Sequence, residues 1–444
     1  MKIVIAGAGE VGSHLAKLLS HEAQDILVVD ENGDKLDALN SNYNLMTQEG
    51  SPTSFRTLRE ARVGSCDLFI AVTPSETDNI VACSIAKNLG ATTTVARISS
   101  YDFMESRNRL LVRNMGVDKL IYPEYLAANE ILTALKYPWA RHWFELHDGQ
   151  IIVVGVKIRE TAPIAGMPLN DFAFKNHNFH VSAIKRNNEI IIPRGSDALL
   201  PGDIVYIASL REHVNDLVEL TGKVVHKIKR VFIMGGGKIT IRFADIAKDL
   251  YDIKIIENNE DVCRHLPEKC PDCQIILGDA RDINLLNEEG ISDSDAFLAL
   301  SGSSEANILT CLTTKELGVK KTIAEVENIQ YINQAESLNI GTIINKKLLA
   351  SSTIFQLMLD TDTTTTKCLA LADAEVAELE AKPGSKIIDK PIKDIHLPSS
   401  MTIAGLVRNG KGMLVNGNTV IQAGDHVVIF TLSGSLHKAE KMFI

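Results

Sequence analysis

Landmarks in the first half of the chain recur 228 residues further on: Gly7 is matched by Gly235, Gly50 by Gly278, Ala71 by Ala299, Asn79 by Asn307, Gly90 by Gly318 and Ala96 by Ala324. Several coincidences at one spacing mark a duplication, which constrains the fold more than any single motif because each copy must build the same supersecondary units. The repeat runs on. Pro168-Leu169 is matched by Pro391-Ile392 at an offset of 223, and Gly202-Asp203 by Gly424-Asp425 at 222, so the duplicated unit fills about half of the 444 residues.

Within each half, apolar segments such as 2–6, 26–29 and 68–73 alternate with helical ones such as 11–20, a pattern that predicts a parallel sheet. Later segments at 151–158, 181–186, 189–192 and 204–208 are short, β-branched and separated by turns such as Pro201-Gly202-Asp203, and a similar region spans 367–432. The expected class is therefore α/β: two Rossmann-like parallel-sheet domains, each followed by a small β-rich α+β domain. The expected boundaries are a first Rossmann-like lobe at 1–124, a connecting helix at 125–142 and a β-rich lobe at 143–226. The second copy follows at 227–347, 348–364 (helix and linker) and 365–444. The Thr- and Asp-rich run 360–366 reads as the linker.

The predicted strand 2–6 runs directly into Gly7-Ala8-Gly9-Glu10-Val11-Gly12, and a helical pattern with Leu15, Leu18 and Leu19 follows. In such a loop the first glycine permits the tight turn, the second lets a pyrophosphate approach the backbone, and the third lets the helix pack on the strand. The helix N-terminus then presents unbonded amides and the positive end of its dipole to the phosphates. Asp30 ends the second strand, 18 residues beyond Gly12, where a carboxylate accepts hydrogen bonds from ribose hydroxyls and repels a 2′-phosphate, favouring NAD over NADP. Thr73-Pro74 and Arg97 stand at the carboxyl ends of the fourth and fifth strands, the edge at which such folds bind ligands. Arg97 suits a phosphate or a salt bridge to a neighbouring element equally well.

The second half carries Gly235-Gly236-Gly237-Lys238-Ile239-Thr240 after a strand at 230–234, with Glu257 in the place of Asp30. Thr240 replaces the third glycine, which leaves close helix packing open. Glu325 stands where Arg97 does in the first half, a reversal of charge beside any phosphate, so the two halves are expected to differ in ligand or affinity. Gly278-Asp279-Ala280 reads as a tight turn or as part of an adenosine pocket.

A formal net charge of −10 argues against nucleic acid as a partner, because phosphate backbones are held by clustered Lys and Arg. No apolar run approaches the roughly 18 residues that cross a bilayer, and the start of the chain lacks the pattern of a signal peptide; a cytoplasmic location is expected, with the seven cysteines reduced. Cys263, His265, Cys270 and Cys273 lie close in sequence but match no common zinc spacing, and no residue is assigned as a metal ligand. There is no GxSxG, HExxH or P-loop lysine, and His142 and His147 have no acidic partner fixed by sequence, so no catalytic residue is assigned and the chain is not expected to be an enzyme.

Taken in this order, the Gly7–Gly12 loop with Asp30, Ala96-Arg97-Ile98, Tyr122-Pro123-Glu124, the Gly235–Gly237 loop with Glu257, and Gly278-Asp279-Ala280 make the chain resemble the TrkA family. These are cytosolic regulatory subunits of bacterial Trk potassium uptake systems, built from two RCK (KTN) units. The resemblance implies NAD(H), and as further candidates ATP or ADP, bound in the parallel-sheet lobes. It implies attachment to the inner membrane through an integral membrane potassium transport subunit, and a homo-oligomer forming a tetrameric ring of tandem RCK units. Carried over residue by residue, the dinucleotide contacts fall on Gly7, Ala8, Gly9, Glu10, Val11, Gly12, Asp30, Thr73, Pro74 and Arg97, then on Gly235, Gly236, Gly237, Lys238, Ile239 and Glu257. In some relatives an acid near Glu124 helps to hold a divalent ion, whereas the second half offers Lys347 at the comparable place. Two other classes stay open from sequence: an NAD-dependent dehydrogenase, and a regulatory subunit of another cation transporter or antiporter.

Overall fold

The computed structural model describes residues 1–20, 24–43, 45–187, 189–359, 365–370, 374–432 and 434–444. Apolar strands and intervening helices in the first repeat give β1 (Lys2–Ala6), β2 (Asp25–Asp30), β3 (Met46–Glu49), β4 (Leu68–Ala71), β5 (Thr93–Arg97) and β6 (Lys119–Ile121). They form a parallel sheet in the order β3-β2-β1-β4-β5-β6. The order reverses at β1, so a crevice opens at the carboxyl end of that strand, where the glycine loop begins. β4 ends two residues earlier than the sequence pattern suggests, although the Val72 amide still donates to Ala6 O at 2.8 Å.

The β-rich lobe that follows contains β7 (His142–Leu146), β8 (Ile151–Lys157), β9 (Phe179–Arg186), β10 (Glu189–Ile191) and β11 (Ile204–Ser209), an antiparallel sheet in the order β10-β9-β11-β8-β7. In the second repeat β12 (Arg230–Met234), β13 (Asp252–Glu257), β14 (Gln274–Leu277), β15 (Ala296–Ala299), β16 (Lys321–Glu325) and β17 (Thr342–Ile344) reproduce the parallel order. After β18 (Thr365–Ala370) come β19 (Ala374–Glu380), β20 (Met401–Arg408), β21 (Lys411–Leu414) and β22 (His426–Leu432), with β19, β22, β20 and β21 as successive antiparallel neighbours. Residues 360–364 of the expected linker lie outside the described residues, and Thr365 and Thr366 already belong to β18.

The chain divides into two compact units. One comprises Met1–Leu126 with Lys346–Leu369, the other Ala127–Asn345 with Ala370–Ile444. In the first, the helix Lys346–Leu359 packs on the glycine-loop helix Glu10–Ser20, and Ser351 Oγ donates to Val11 O at 3.3 Å.

One buried side chain repeated in both halves holds the ligand edge of each sheet together. Asn79 accepts from the amide and hydroxyl of Thr73, each at 2.8 Å, and donates to Thr73 O at 3.0 Å and Arg97 O at 2.9 Å. Asn307 does the same with Ser301 and with Glu325 O. Both are fully buried in the helices Glu76–Leu89 and Ser304–Glu316 that connect β4 to β5 and β15 to β16, and each links the ends of those neighbouring strands. Replacing Asn79 by Leu keeps the bulk but strands these backbone groups, and the expected loss is about 1–3 kcal/mol of stability, read from urea unfolding.

Two half-buried imidazoles of the first β-rich lobe are held neutral. Burial depresses the pKa of His180 to about 4. His142, packed against Phe144 and Tyr206, is also held at about 4, first by burial and then by Arg141, Lys185 and Lys321, against an opposing contribution from Glu336. Both groups titrate near 6.5 when unfolded, so the folded state binds fewer protons between those values; their contribution is intact above pH 6.5 and is lost as pH falls through 4. The unfolding midpoint should therefore drop across that window by an amount equivalent to about 1–3 kcal/mol per imidazole. His180→Gln should flatten the drop, and a profile identical to the parent's would contradict this account.

Candidate functional site

Each glycine loop is fixed by a carboxylate at the end of the neighbouring strand. Gly7 has φ +114° and its amide donates to Val29 O at 2.7 Å, turning the chain out of β1. The next amide, of Ala8, donates to Asp30 Oδ2 at 2.6 Å, while Asp30 Oδ1 accepts from the Asn32 amide at 2.9 Å. The carboxylate is thus oriented before any ligand arrives, with lone pairs left for a ribose diol. Ser13 is the first helix residue whose amide reaches back, to Gly9 O at 2.8 Å, so the amides of Gly9, Glu10, Val11 and Gly12 have no preceding turn to bond. A β-carbon on Gly9 would meet nothing within 4 Å, whereas one on Gly12 would overlap the Gly7 carbonyl oxygen. The second position is thus open and the third closely packed.

The second loop repeats the geometry with one substitution. Gly235 has φ +99°, its amide donates to Ile256 O at 2.9 Å, and the Gly236 amide donates to Glu257 Oε2 at 2.7 Å; Glu257 Oε1 accepts from Asn259 at 2.7 Å. Thr240, where close helix packing was left open, is fully buried and turns its position to use: its hydroxyl donates to Gly235 O at 2.6 Å, the carbonyl equivalent to the one a β-carbon at Gly12 would strike. A cleft of about 380 Å³ opens here, lined by Gly235, Gly236, Gly237, Glu257, Asp279 and Ser301 among others. At Gly278-Asp279-Ala280 the Gly278 amide extends the sheet by donating to Glu257 O at 2.9 Å, a turn follows in which the Asp282 amide donates to Asp279 O at 3.0 Å, and all three residues line the cleft. Lys238 and Ile239 open the helix Lys238–Ala247, the first exposed and the second buried.

The strand ends facing the two loops differ. Arg97 ends β5 half-buried, and Glu325 ends β16 with only 4% exposure. Thr73 is held by Asn79 as described, and Pro74 follows it at the same edge. Glu76 accepts at 2.8 Å from the Ser99 amide and at 2.9 Å from the Ser100 amide; in the second repeat Ser304 takes that place, accepting from Glu327 and Asn328. Glu76 and Ser304 are not legible as supports in the sequence because a lone Glu or Ser carries no spacing signal, whereas Asn79 and Asn307 stand out there through their constant offset.

Among the remaining sequence candidates, Glu124 is buried, and Lys347 forms an ion pair with Glu10 at the start of the glycine-loop helix. Cys263 directs its thiol at Glu257 O, and among the described residues Cys263, His265, Cys270 and Cys273 do not gather into a metal-ligand cluster. His147, for which the sequence fixes no acidic partner, meets one in the fold: Glu378, 231 residues away, at 2.8 Å.

With this geometry in place, family comparison is informative. The TrkA-N domain family matches residues 3–123 and 231–346, and the TrkA-C domain family matches 153–222 and 376–444. The Trk system potassium uptake protein TrkA of Haemophilus influenzae is 32% identical over the whole of this chain and 98% of its own length. A TrkA homolog of Archaeoglobus fulgidus is 30% identical, with both chains fully covered. The crystal structure of the GsuK RCK domain aligns with all of this chain and 94% of its own at a TM-score of 0.61 and 16% identity, a likeness of fold. The GsuK channel bound to NAD gives the same score and identity over 78% of its length. Doubled parallel and antiparallel lobes in the same order, with relatives matched from end to end, establish that this chain belongs to the TrkA family.

Proposed function

We propose that the chain is a regulatory subunit that binds NAD(H), or an adenine nucleotide such as ATP or ADP, at its glycine loops and thereby gates a separate membrane potassium transport subunit. The observation that carries this reading is the pre-oriented carboxylate behind each loop, Asp30 on Ala8 and Glu257 on Gly236, beside helix N-termini suited to a pyrophosphate. Support comes from the relatives, named as Trk potassium uptake proteins, and from GsuK structures bound to NAD and to ADP. Among the described residues no helix is long and apolar enough to cross a membrane, so conduction is assigned to a partner. The family also suggests a homo-oligomeric, tetrameric ring attached to that partner at the inner membrane. Only a ligand with different affinities for two arrangements of the lobes can do work on the pore, and a coupling of about 1–3 kcal/mol shifts a gating equilibrium roughly 5- to 150-fold.

Two substitutions address the loops separately. Gly9 and Gly237 both face open space, so Gly9→Glu and Gly237→Glu should fold normally while placing a carboxylate where phosphate would lie. Calorimetric titration of each full-length variant with NAD(H), ATP and ADP then reads the other half alone. Unequal affinities are expected from Glu325 against Arg97, and equal ones would show that this reversal does not reach the pocket.

The functional test is potassium uptake in cells or vesicles containing the cognate membrane subunit. Uptake should respond to nucleotide with the parent chain and lose that response in the doubly blocked Gly9→Glu, Gly237→Glu variant. Identical uptake without the chain, with it and with the blocked variant would refute regulation, and steady NADH turnover on a small substrate would instead indicate a dehydrogenase.

A further inference from the structure

Within the second compact unit, His147, Glu378 and His426 bring one ligand atom each to within 4.8 Å of the other two. His147 sits in the turn between β7 and β8 at φ +45°, a left-handed conformation unusual for a residue with a side chain. Glu378 and His426 belong to the last lobe. Glu380 is the cross-strand partner of His426, so Glu378, two residues along β19, shares its face of the sheet. His147 Nδ1 lies 2.8 Å and His426 Nδ1 3.1 Å from the same oxygen, Glu378 Oε1. The second approach lacks hydrogen-bond geometry, and His426 Nδ1 is buried without a hydrogen-bond partner. The carboxylate is 4% exposed and the imidazoles 27% and 31%, so the anion is shielded while a path from solvent remains open.

The fold itself does not require these residues. In the first β-rich lobe the position equivalent to Glu378 is Gly155, opposite Tyr206 as Glu378 is opposite Val428, and the position equivalent to His426 is Ile204. Structural polar pairs, by contrast, are kept in both lobes: Arg186 clamps Asp203 at 2.7 Å and Arg408 clamps Asp425 at 2.6 Å. The His–Glu–His cluster thus occurs where the duplicate lobes have diverged.

We propose that His147, Glu378 and His426 form a site for a divalent transition-metal ion of the zinc type, bridging the two β-rich lobes. Two neutral imidazoles and one carboxylate are borderline donors that suit Zn²⁺, whereas Mg²⁺ and Ca²⁺ require shells made mostly of oxygen. Tetrahedral coordination with metal–ligand distances near 2.0–2.1 Å separates ligand atoms by about 3.3 Å; the two histidine–carboxylate separations, 2.8 and 3.1 Å, are within a few tenths of an ångström of that, and the imidazoles need only close on each other from within 4.8 Å. Water completes the fourth position, as in open three-ligand sites. The two histidines bind through Nδ1, with the proton on Nε2. No spacing motif reveals such a site in the sequence, because its members lie 231 and 48 residues apart.

The test uses full-length protein stripped with EDTA and dialysed. Zinc competition against a chromophoric chelator should show an ion per chain whose affinity falls at least about tenfold in Glu378→Gln and in His147→Asn, the latter changing only a turn residue. Zinc should also raise the thermal midpoint of the parent more than that of either variant. Cobalt(II) offers a readout on the unmodified chain: visible ligand-field bands without thiolate charge transfer are expected. Absence of zinc uptake, uptake unaffected by both substitutions, or a thiolate band abolished by Cys270→Ser would each overturn the proposal, the last assigning the metal to the cysteines.

Discussion

Two short contacts between a loop amide and a carboxylate, Ala8 to Asp30 and Gly236 to Glu257, are the constraint on which both ligand-binding edges depend. A glycine loop in a left-handed turn has many conformations open to it, and a charged acceptor on the adjacent strand selects one. Once it is selected, the helix N-terminus aims at the space above β1 or β12, and the same carboxylate marks the far end of the crevice. Under the proposed function, stability of the loop and recognition of a ribose therefore rest on one group. Its removal is expected to lower both together, which is why glycine substitutions separate binding from folding more cleanly than changes at Asp30.

Comparison of the repeats separates what the scaffold needs from what a ligand tunes. Asn79 and Asn307 make the same four-bond bracket across neighbouring strand ends, and the Arg–Asp clamps at the turns of the β-rich lobes are superimposable in chemistry. Around the crevice, however, Gly12 becomes Thr240, Arg97 becomes Glu325 and Glu76 becomes Ser304. Thr240 shows that the third glycine can be replaced when the new side chain donates to the carbonyl it approaches. The exchange of Arg97 for a buried Glu325 alters the local charge without disturbing strand order.

Much of this was legible in the sequence. The duplication, the alternation of strands and helices and the strand–glycine–helix–acid order locate both crevices, because these patterns are local and periodic. Val72 and Thr73 continue the apolar, β-branched character of β4 in sequence, yet the strand ends at Ala71 and the Thr73 amide is taken up by Asn79. His147 was unreadable for a different reason: its acid lies in another lobe, and a sequence without an alignment carries no record of contacts at that separation. The bracket asparagines became visible only through comparison of the two halves.

The helix Lys346–Leu359, encoded after the second parallel sheet, packs on the glycine-loop helix near the chain's beginning. During synthesis at about 5–20 residues per second, the outer face of the first nucleotide helix therefore waits on the order of tens of seconds for its cover to emerge from the ribosome. A chain holding the first repeat alone would lack that helix and, to cover the same face, would need the like element of a second copy, an exchange between protomers. Two copies in one chain make such a concentration-dependent encounter an internal one, and the nascent chain meanwhile carries an uncovered helix flank.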